Sequence, residues 1–260
     1  MHPVLMTIGS FNLYTYGLFV ALGFFTAMQV SKINAKPHDI SAETITDIFF
    51  VIFASALVGS RLLYVLINFS EYKNNLIGIF QIWNGGLVFF GGFVAVCAAC
   101  LIYFKKKNLP ILKTADIISP GIAVGHAIGR IGCLFAGCCY GKVCEWPIAI
   151  KFTNSDSLAP LHVFLHPTQI YSIISNLAVF LALLWLQKRK KKFDGRVFLI
   201  YIILYSLLRS IIEFFRGDFR GDFIFDFISM SQGIGFIVSL TAFILLIKLS
   251  KSSNDSSSNS

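Results

Sequence analysis

Seven stretches of this chain are long and apolar enough to cross a bilayer, which excludes most folds at once. Crossing a hydrocarbon core takes about 20 residues of helix, and backbone inside it must be hydrogen-bonded within its own segment or within a closed barrel. The stretches fall near 13–31, 44–68, 86–104, 114–135, 169–187, 197–215 and 229–249. Each has the length of a spanning helix rather than a barrel strand, so the expected fold is an all-α polytopic membrane protein with seven transmembrane helices. Composition agrees: 56% of the 260 residues are hydrophobic, 13% are charged, and mean hydropathy is +0.73. Soluble domains carry about a quarter charged residues. The start, His2-Pro3-Val4, has neither a basic region nor a cleavage-like site, so the first stretch reads as a retained span.

A net charge of +9 would suggest nucleic acid in a soluble chain. Here it reports orientation instead, because lysine and arginine concentrate in cytoplasmic loops, and no nucleic-acid partner is expected. Lys32, Lys36, Lys105 to Lys107, Lys113, Lys188 to Lys192, Arg196, Lys248 and Lys251 fall on one side of the seven spans; Lys73, Lys142, Lys151, Arg216 and Arg220 fall on the other. The N-terminus is therefore expected outside and the C-terminus inside. Residues 1–249 read as one transmembrane domain. Within 136–168 a small extracytoplasmic cap is expected, pairing Pro147 to Phe152 with Leu161 to Phe164. The Arg-Gly-Asp-Phe duplication over 216–223 is read as a neutral repeat in a polar loop. The Ser/Asn-rich residues 250–260 are expected to form a disordered cytoplasmic tail.

Charges inside the spans carry the functional signal. An arginine deep in a bilayer costs at least a few kcal/mol and marks a site unless it snorkels or pairs. Arg61, Arg130 and Arg209 each lie about 4 to 8 Å past their span's centre at the helical rise, all toward the outer face. Three cations at one depth suit an anionic group such as a phospholipid headgroup. The competing reading is structural pairing, which for Arg209 is offered by Glu213 at i+4. Around Arg130, the run Gly121, Gly125, Gly129 marks a face for close helix packing, and His126 lies one turn before the arginine. In the third stretch, Gly85-Gly86 and Gly91-Gly92 allow close approach of backbone or ligand.

Cys133, Cys138, Cys139 and Cys144 have a C-x4-C-C-x4-C spacing. It matches no common zinc pattern, so no metal ligand is expected. A disulfide is compatible with an oxidising outer face. Cys97 and Cys100 sit inside an apolar stretch, where small residues fill space.

Taken together, these residues resemble the prolipoprotein diacylglyceryl transferase family. The resemblance rests on Tyr16-Gly17-Leu18, Gly59-x-Arg61-x-x-Tyr64, Trp83-x-Gly85-Gly86 with Gly91-Gly92, and Gly129-Arg130-x-Gly132 followed by Gly141. It continues through His166-Pro167-Thr168-Gln169-x-Tyr171, Arg209-x3-Glu213-Phe214-Phe215-Arg216 and Ser229-Met230-x-Gln232. The matches occur in family order over nearly the whole chain. The resemblance implies a multi-pass enzyme of the bacterial cytoplasmic membrane, with no cofactor. Its partners would be the bilayer, phosphatidylglycerol and prolipoprotein signal peptides. It would move a diacylglyceryl group to a lipobox cysteine and release glycerol phosphate. Arg130 and Arg209 would hold the phosphate. Arg61, Tyr16, Gln169, Glu213, Gly91 and Gly92 would complete the substrate site. Related sequences place a histidine where this chain has Phe90, asparagines and a glutamate where it has Cys133 and Cys138, and a glutamate where it has Ser172. The phosphate-binding parts are therefore kept, and thiol ionisation falls to the cationic field, His126 or His166. The alternative is a lipid-binding or lipid-moving relative that has changed or lost the reaction. A solute transporter would show two related halves, and none are visible.

Overall fold

In the computed structural model, helices account for most of the chain. It describes residues 1–258 apart from 10, 74, 82, 84, 190–192, 219–222 and 225–227. The second copy of the Arg-Gly-Asp-Phe repeat and Lys190 to Lys192 thus fall mostly or wholly outside the described residues. A hairpin of β1 (Val4–Ile8) and β2 (Phe11–Tyr14) leads into α1 (Thr15–Ala35), and α2 (Ala42–Ile67) follows. After α2 come a one-turn α3 (Phe69–Tyr72) and a 3-10 turn, Leu76–Phe80, and then α4 (Phe89–Lys106) and α5 (Ile111–Ala136). The short β3 (Ile150–Lys151) and β4 (Phe164–Leu165) precede α6 (Thr168–Lys188) and α7 (Arg196–Glu213). The pair β5 (Phe223–Ile224) and β6 (Ile228–Ser229) precedes α8 (Met230–Ser258).

Among the described residues, six helices are long and apolar enough to cross a membrane: α1, α2, α4, α5, α6 and α8. The stretch expected near 197–215 is a helix, α7, but Arg196, Arg209 and Glu213 put three charges into its eighteen residues. Outward faces of the spans are apolar, with Phe50, Phe53 and Leu62 of α2 and Phe236, Ile237 and Phe243 of α8 all exposed. That is the reverse of a water-soluble helix and suits a lipid solvent. The helix α8 also continues to Ser258, past the end that its Ser/Asn-rich composition predicts.

Two compact units appear where the sequence leads one to expect a single domain. One comprises Lys32–Thr114, the other Met1–Ser31 with Ala115–Ser260. In the first, α2 and α4 cross at backbone distance: a Cβ on Gly91 would lie 2.4 Å from the Gly59 carbonyl oxygen, and one on Gly92 3.0 Å from that of Ala56. Gly91 and Gly92, expected at the substrate, are therefore packing residues of this helix pair. Such contacts replace the hydrophobic drive that lipid removes. Arg61 on α2 is caged by carbonyl oxygens. It donates through Nε to Ile79, through Nη1 to Gly85 and Gly86, and through Nη2 to Gly78, at 2.7 to 3.1 Å. The rings of Tyr64 and Tyr72 flank its guanidinium, each 5.5 Å from the cation. This arginine holds the loop between α3 and α4, and the positive φ of Gly85 and Gly86 turns their carbonyls onto it.

In the second unit, α5 is the central helix. Of its most apolar window 56% is buried, against 6% to 28% for the other spans. The expected glycine face is present in part. A Cβ on Gly125 would meet the Gly23 carbonyl oxygen at 2.9 Å, and one on Gly121 the Ala27 carbonyl oxygen at 2.5 Å, so both pack against α1. Gly129 instead borders open space. At the other end of α5, buried Asp116 accepts from the backbone N–H of Gly195 (2.8 Å) and Phe198 (2.9 Å). It thereby caps α7, whose own first residues provide no side-chain cap.

Within the expected cap, β3 and β4 pair antiparallel, with Ile150 opposite Leu165 and Lys151 opposite Phe164. Nearby, three segments meet at Gly141. Its N–H donates to His166 O, Lys142 N–H to Phe215 O, and Gly217 N–H to Tyr140 O. A Cβ on Gly141 would lie 2.5 Å from His166 and 2.8 Å from Phe215 O, and one on Gly217 2.6 Å from Gly141 O. Only glycine fits at either position.

Replacing Asp116 with alanine leaves two buried N–H groups of α7 without their acceptor, at a cost of about 1–2 kcal/mol. Thermal unfolding in detergent should show a lowered midpoint for Asp116→Ala and a smaller loss for Asp116→Asn, which keeps one acceptor.

Candidate active site

Arg130 stands in the last turns of α5 and Arg209 one turn before the end of α7. They line one cavity with Ser172 and Asn176 of α6 and Tyr205 and Leu208 of α7. The helices converge because α5 is packed on one side by α1 and on another by the α6–α7 pair, through the buried cluster of Ala123, Val179, Leu183 and Tyr201. Two of the three arginines expected at one site are thus brought together. The third, Arg61, is committed within its own unit to the carbonyl cage.

The two cavity arginines differ in how their charge is met. Arg209 is paired through Nη1 to Glu213 Oε2 at 2.5 Å. Glu213 also lies 3.7 Å from Arg216, which forms a two-pronged bond to Asp218 at 2.9 and 2.6 Å. Arg130 faces no carboxylate among the described residues. Its hydrogen bond runs from Nη1 to the sulfur of Cys139 at 3.4 Å. A guanidinium has five N–H donors, and Arg130 also lines the cavity, where among the described residues it meets no carboxylate.

The sulfur belongs to a cluster that the cysteine spacing does not predict. The helix α5 ends at Ala136, Gly137 turns through a φ of +74°, and Cys139 itself adopts +60°. Left-handed backbone costs a residue with a Cβ about 1–2 kcal/mol. The result is that the Sγ atoms of Cys133, Cys138 and Cys139 all lie within 4.8 Å of one another. Cys144 stays apart, where its sulfur accepts from Trp146 N–H at 3.4 Å. Buried Gln169 and Thr168, at the start of α6, hold the turn by donating to Cys138 O (2.8 Å) and Cys139 O (2.6 Å). Hydrogen bonding from the Cys133 and Cys138 thiols holds Cys139 well below the ordinary thiol range, and Arg130 and Arg216 add to this against the opposing effect of burial.

The remaining expected residues fall around this centre. The backbone of Tyr16 packs on Gly132, 3.1 Å from where a Cβ would stand. Gln169 is a holder of the cysteine turn, and its Oε1 is buried with no hydrogen-bond partner among the described residues, as is Asn176 Oδ1. His126 contacts Tyr201 O–H through Nδ1 at 3.4 Å and lies 5.3 Å from the ring of Tyr205. His166 bonds Tyr171 O–H through Nδ1 at 3.2 Å, within a group that includes Trp146 and Phe215. Arg216, Asn176 and Cys139 were not anticipated as site residues. For Arg216 the signal was its position three residues after Glu213; for the other two no sequence pattern pointed to the cavity.

Comparison with known proteins extends this picture to the whole chain. The sequence pattern of the family described as prolipoprotein diacylglyceryl transferase matches residues 3–248. The phosphatidylglycerol–prolipoprotein diacylglyceryl transferase of Clostridium tetani is 36% identical over 204 residues, which cover 78% of this chain and 81% of that protein. The protein of the same name from Finegoldia magna is also 36% identical over 204 residues, or 78% and 79% of the two chains. That of Clostridium kluyveri is 31% identical over 255 residues, or 95% and 97%. The motifs, the helical membrane architecture and these matches agree, and the chain belongs to the prolipoprotein diacylglyceryl transferase family.

Proposed function

We propose that this multi-pass membrane protein transfers the diacylglyceryl group of phosphatidylglycerol to the lipobox cysteine thiol of prolipoprotein signal peptides. The setting is a bacterial cytoplasmic membrane. The observation that carries the reading is the asymmetry of the cavity: Arg209 is answered by Glu213, while Arg130 meets no carboxylate among the described residues. Such a site asks for an anion from outside, and a phosphodiester fits. Family membership and the names of the relatives supply the substrates.

The chemistry follows from where charge moves. Sulfur attacks the glycerol carbon that bears the phosphate ester. A C–S bond forms, the C–O bond breaks, and glycerol phosphate departs with the electron pair. Arg130 and Arg209 meet the developing phosphate charge, in a setting where fixed dipoles act more strongly than water. Guanidinium suits because its fork matches phosphate oxygens and it does not lose its proton. Glu213 holds Arg209 in place. Gln169 positions the turn that carries the sulfur partner of Arg130, and Tyr16 borders the same turn. Arg61, Gly91 and Gly92 act by keeping the α2–α4 unit in shape.

In the membrane, α7 is read as a seventh span, because Arg209 and Glu213 neutralise each other within it. Basic residues set the N-terminus outside and the C-terminus inside. A green fluorescent protein joined to the C-terminus should therefore fluoresce; alkaline phosphatase activity at that position would reverse the assignment.

The direct experiment incubates purified protein with labelled phosphatidylglycerol and a lipobox peptide. A thioether-linked diacylglyceryl peptide is expected, and lipid binding without product would leave only a lipid-binding role. Arg130→Lys keeps the charge but loses the fork, and turnover should drop by roughly 10²-fold. Turnover at the wild-type rate in that variant would make Arg130 structural.

A further inference from the structure

The thiol cluster is a group of reactive side chains that the proposed chemistry leaves unused. Its three sulfurs lie within 4.8 Å of one another. Three thiolates on one zinc ion, with Zn–S near 2.3 Å and tetrahedral angles, stand about 3.8 Å apart. The cluster therefore needs to contract by no more than about 1 Å. Its frame is already built: Thr168 and Gln169 grip the carbonyls of Cys139 and Cys138, and Gly137 and Cys139 take the left-handed turns that bring the sulfurs together.

Charge favours the same occupant. A zinc ion with three thiolates carries one net negative charge. Arg130 donates to Cys139 Sγ, and Arg216 also interacts with that sulfur. Cations around an anionic complex stabilise it and act as its outer shell. A disulfide would use two of the three sulfurs and leave the third without a role. Cys144 is engaged with Trp146, so the described residues offer three ligands here and leave the fourth position open, as catalytic zinc sites do.

We infer that Cys133, Cys138 and Cys139 bind a zinc ion whose open position takes the substrate cysteine as its fourth ligand. The inference rests on the transferase reading, because that reading makes the nucleophile a thiol. A thiol bound to zinc is deprotonated outright; its proton passes to water and its sulfur is held as a thiolate. The sulfur lone pair then forms the C–S bond as the C–O bond to phosphate breaks, and the electron pair leaves on glycerol phosphate. The product thioether is neutral, a weaker ligand, and dissociates from the metal. Arg130 serves both partners, since it touches the cluster and lines the cavity of the leaving phosphate. The zinc ion thus takes the place of a general base for the substrate thiol.

The test uses the full-length protein purified in detergent under reducing conditions. Elemental analysis should find one zinc per chain. Replacement by Co²⁺ should give the near-ultraviolet absorption of sulfur-to-cobalt charge transfer together with tetrahedral visible bands. A lipobox peptide should shift those bands, and the same peptide with serine for cysteine should not. Removing zinc, or the variant C133S/C138S/C139S, should lower turnover by roughly 10²-fold or more, and returning Zn²⁺ should restore the stripped wild-type protein. The control C97S/C100S, in the other unit, should keep its metal. Three results would overturn the inference: reduced wild-type protein that takes up neither Zn²⁺ nor Co²⁺, a disulfide among these cysteines in a metal-free active enzyme, or full turnover in the triple variant. Each of these leaves the transferase reading standing when thioether product forms. A cobalt spectrum that answers to the peptide thiol, with no thioether formed, would keep the metal site and end the transferase reading.

Discussion

A guanidinium in a low-dielectric interior must be answered by something, and the two units of this protein answer it differently. Taking a charge out of water costs several kcal/mol unless partners replace the lost hydration. Arg61 receives four carbonyl contacts and two aromatic faces, a closed arrangement with little capacity left. Arg209 and Arg216 share the carboxylates of Glu213 and Asp218. Arg130 receives a sulfur. A site for an anionic lipid needs a cation that is held firmly and neutralised poorly, and Arg130 is the one of these arginines that fits.

That distinction could not be read from the chain. Arg61, Arg130 and Arg209 look alike in sequence, each a lone cation past the centre of an apolar stretch. Their fates depend on carbonyls 17 to 25 residues away for Arg61 and on helix neighbours for the others. The helices themselves were legible, because twenty apolar residues in lipid permit little else. A close-packing face on α5 was legible for a related reason, though not that α1 fills it: small residues at four-residue spacing have one obvious use in a membrane. The same logic does not separate the two uses of Gly91 and Gly92, since a glycine that admits another backbone looks the same as one that admits a ligand. The N-terminal hairpin has only a faint signal, Gly9-Ser10 between two short apolar runs, beside the much stronger signal of the span that follows.

The cysteines show where pattern reading stops. Zinc motifs are recognised by spacings that common folds bring together, and C-x4-C-C belongs to none of them. Here the gathering is done by a helix end at Ala136 and two left-handed residues, features decided by backbone angles rather than by period. Asp116 went unnoticed for a similar reason: its partners, Gly195 and Phe198, cap a helix some eighty residues later.

The junction at Gly141 has a consequence for how the site tolerates change. Arg130, Gln169 and Arg209 ride on three separate helices, yet the segments that follow α5, precede α6 and follow α7 are bonded to one another within a few residues of Gly141 and Gly217. This acts as a common datum: none of the three helices can slide along the membrane normal by a turn, about 5.4 Å, without breaking it. Length changes in the intervening loops can therefore be absorbed only on the far side of the junction. The stretches between the junction and the arginines should behave as spacers of fixed length, while the loops beyond it are free to vary.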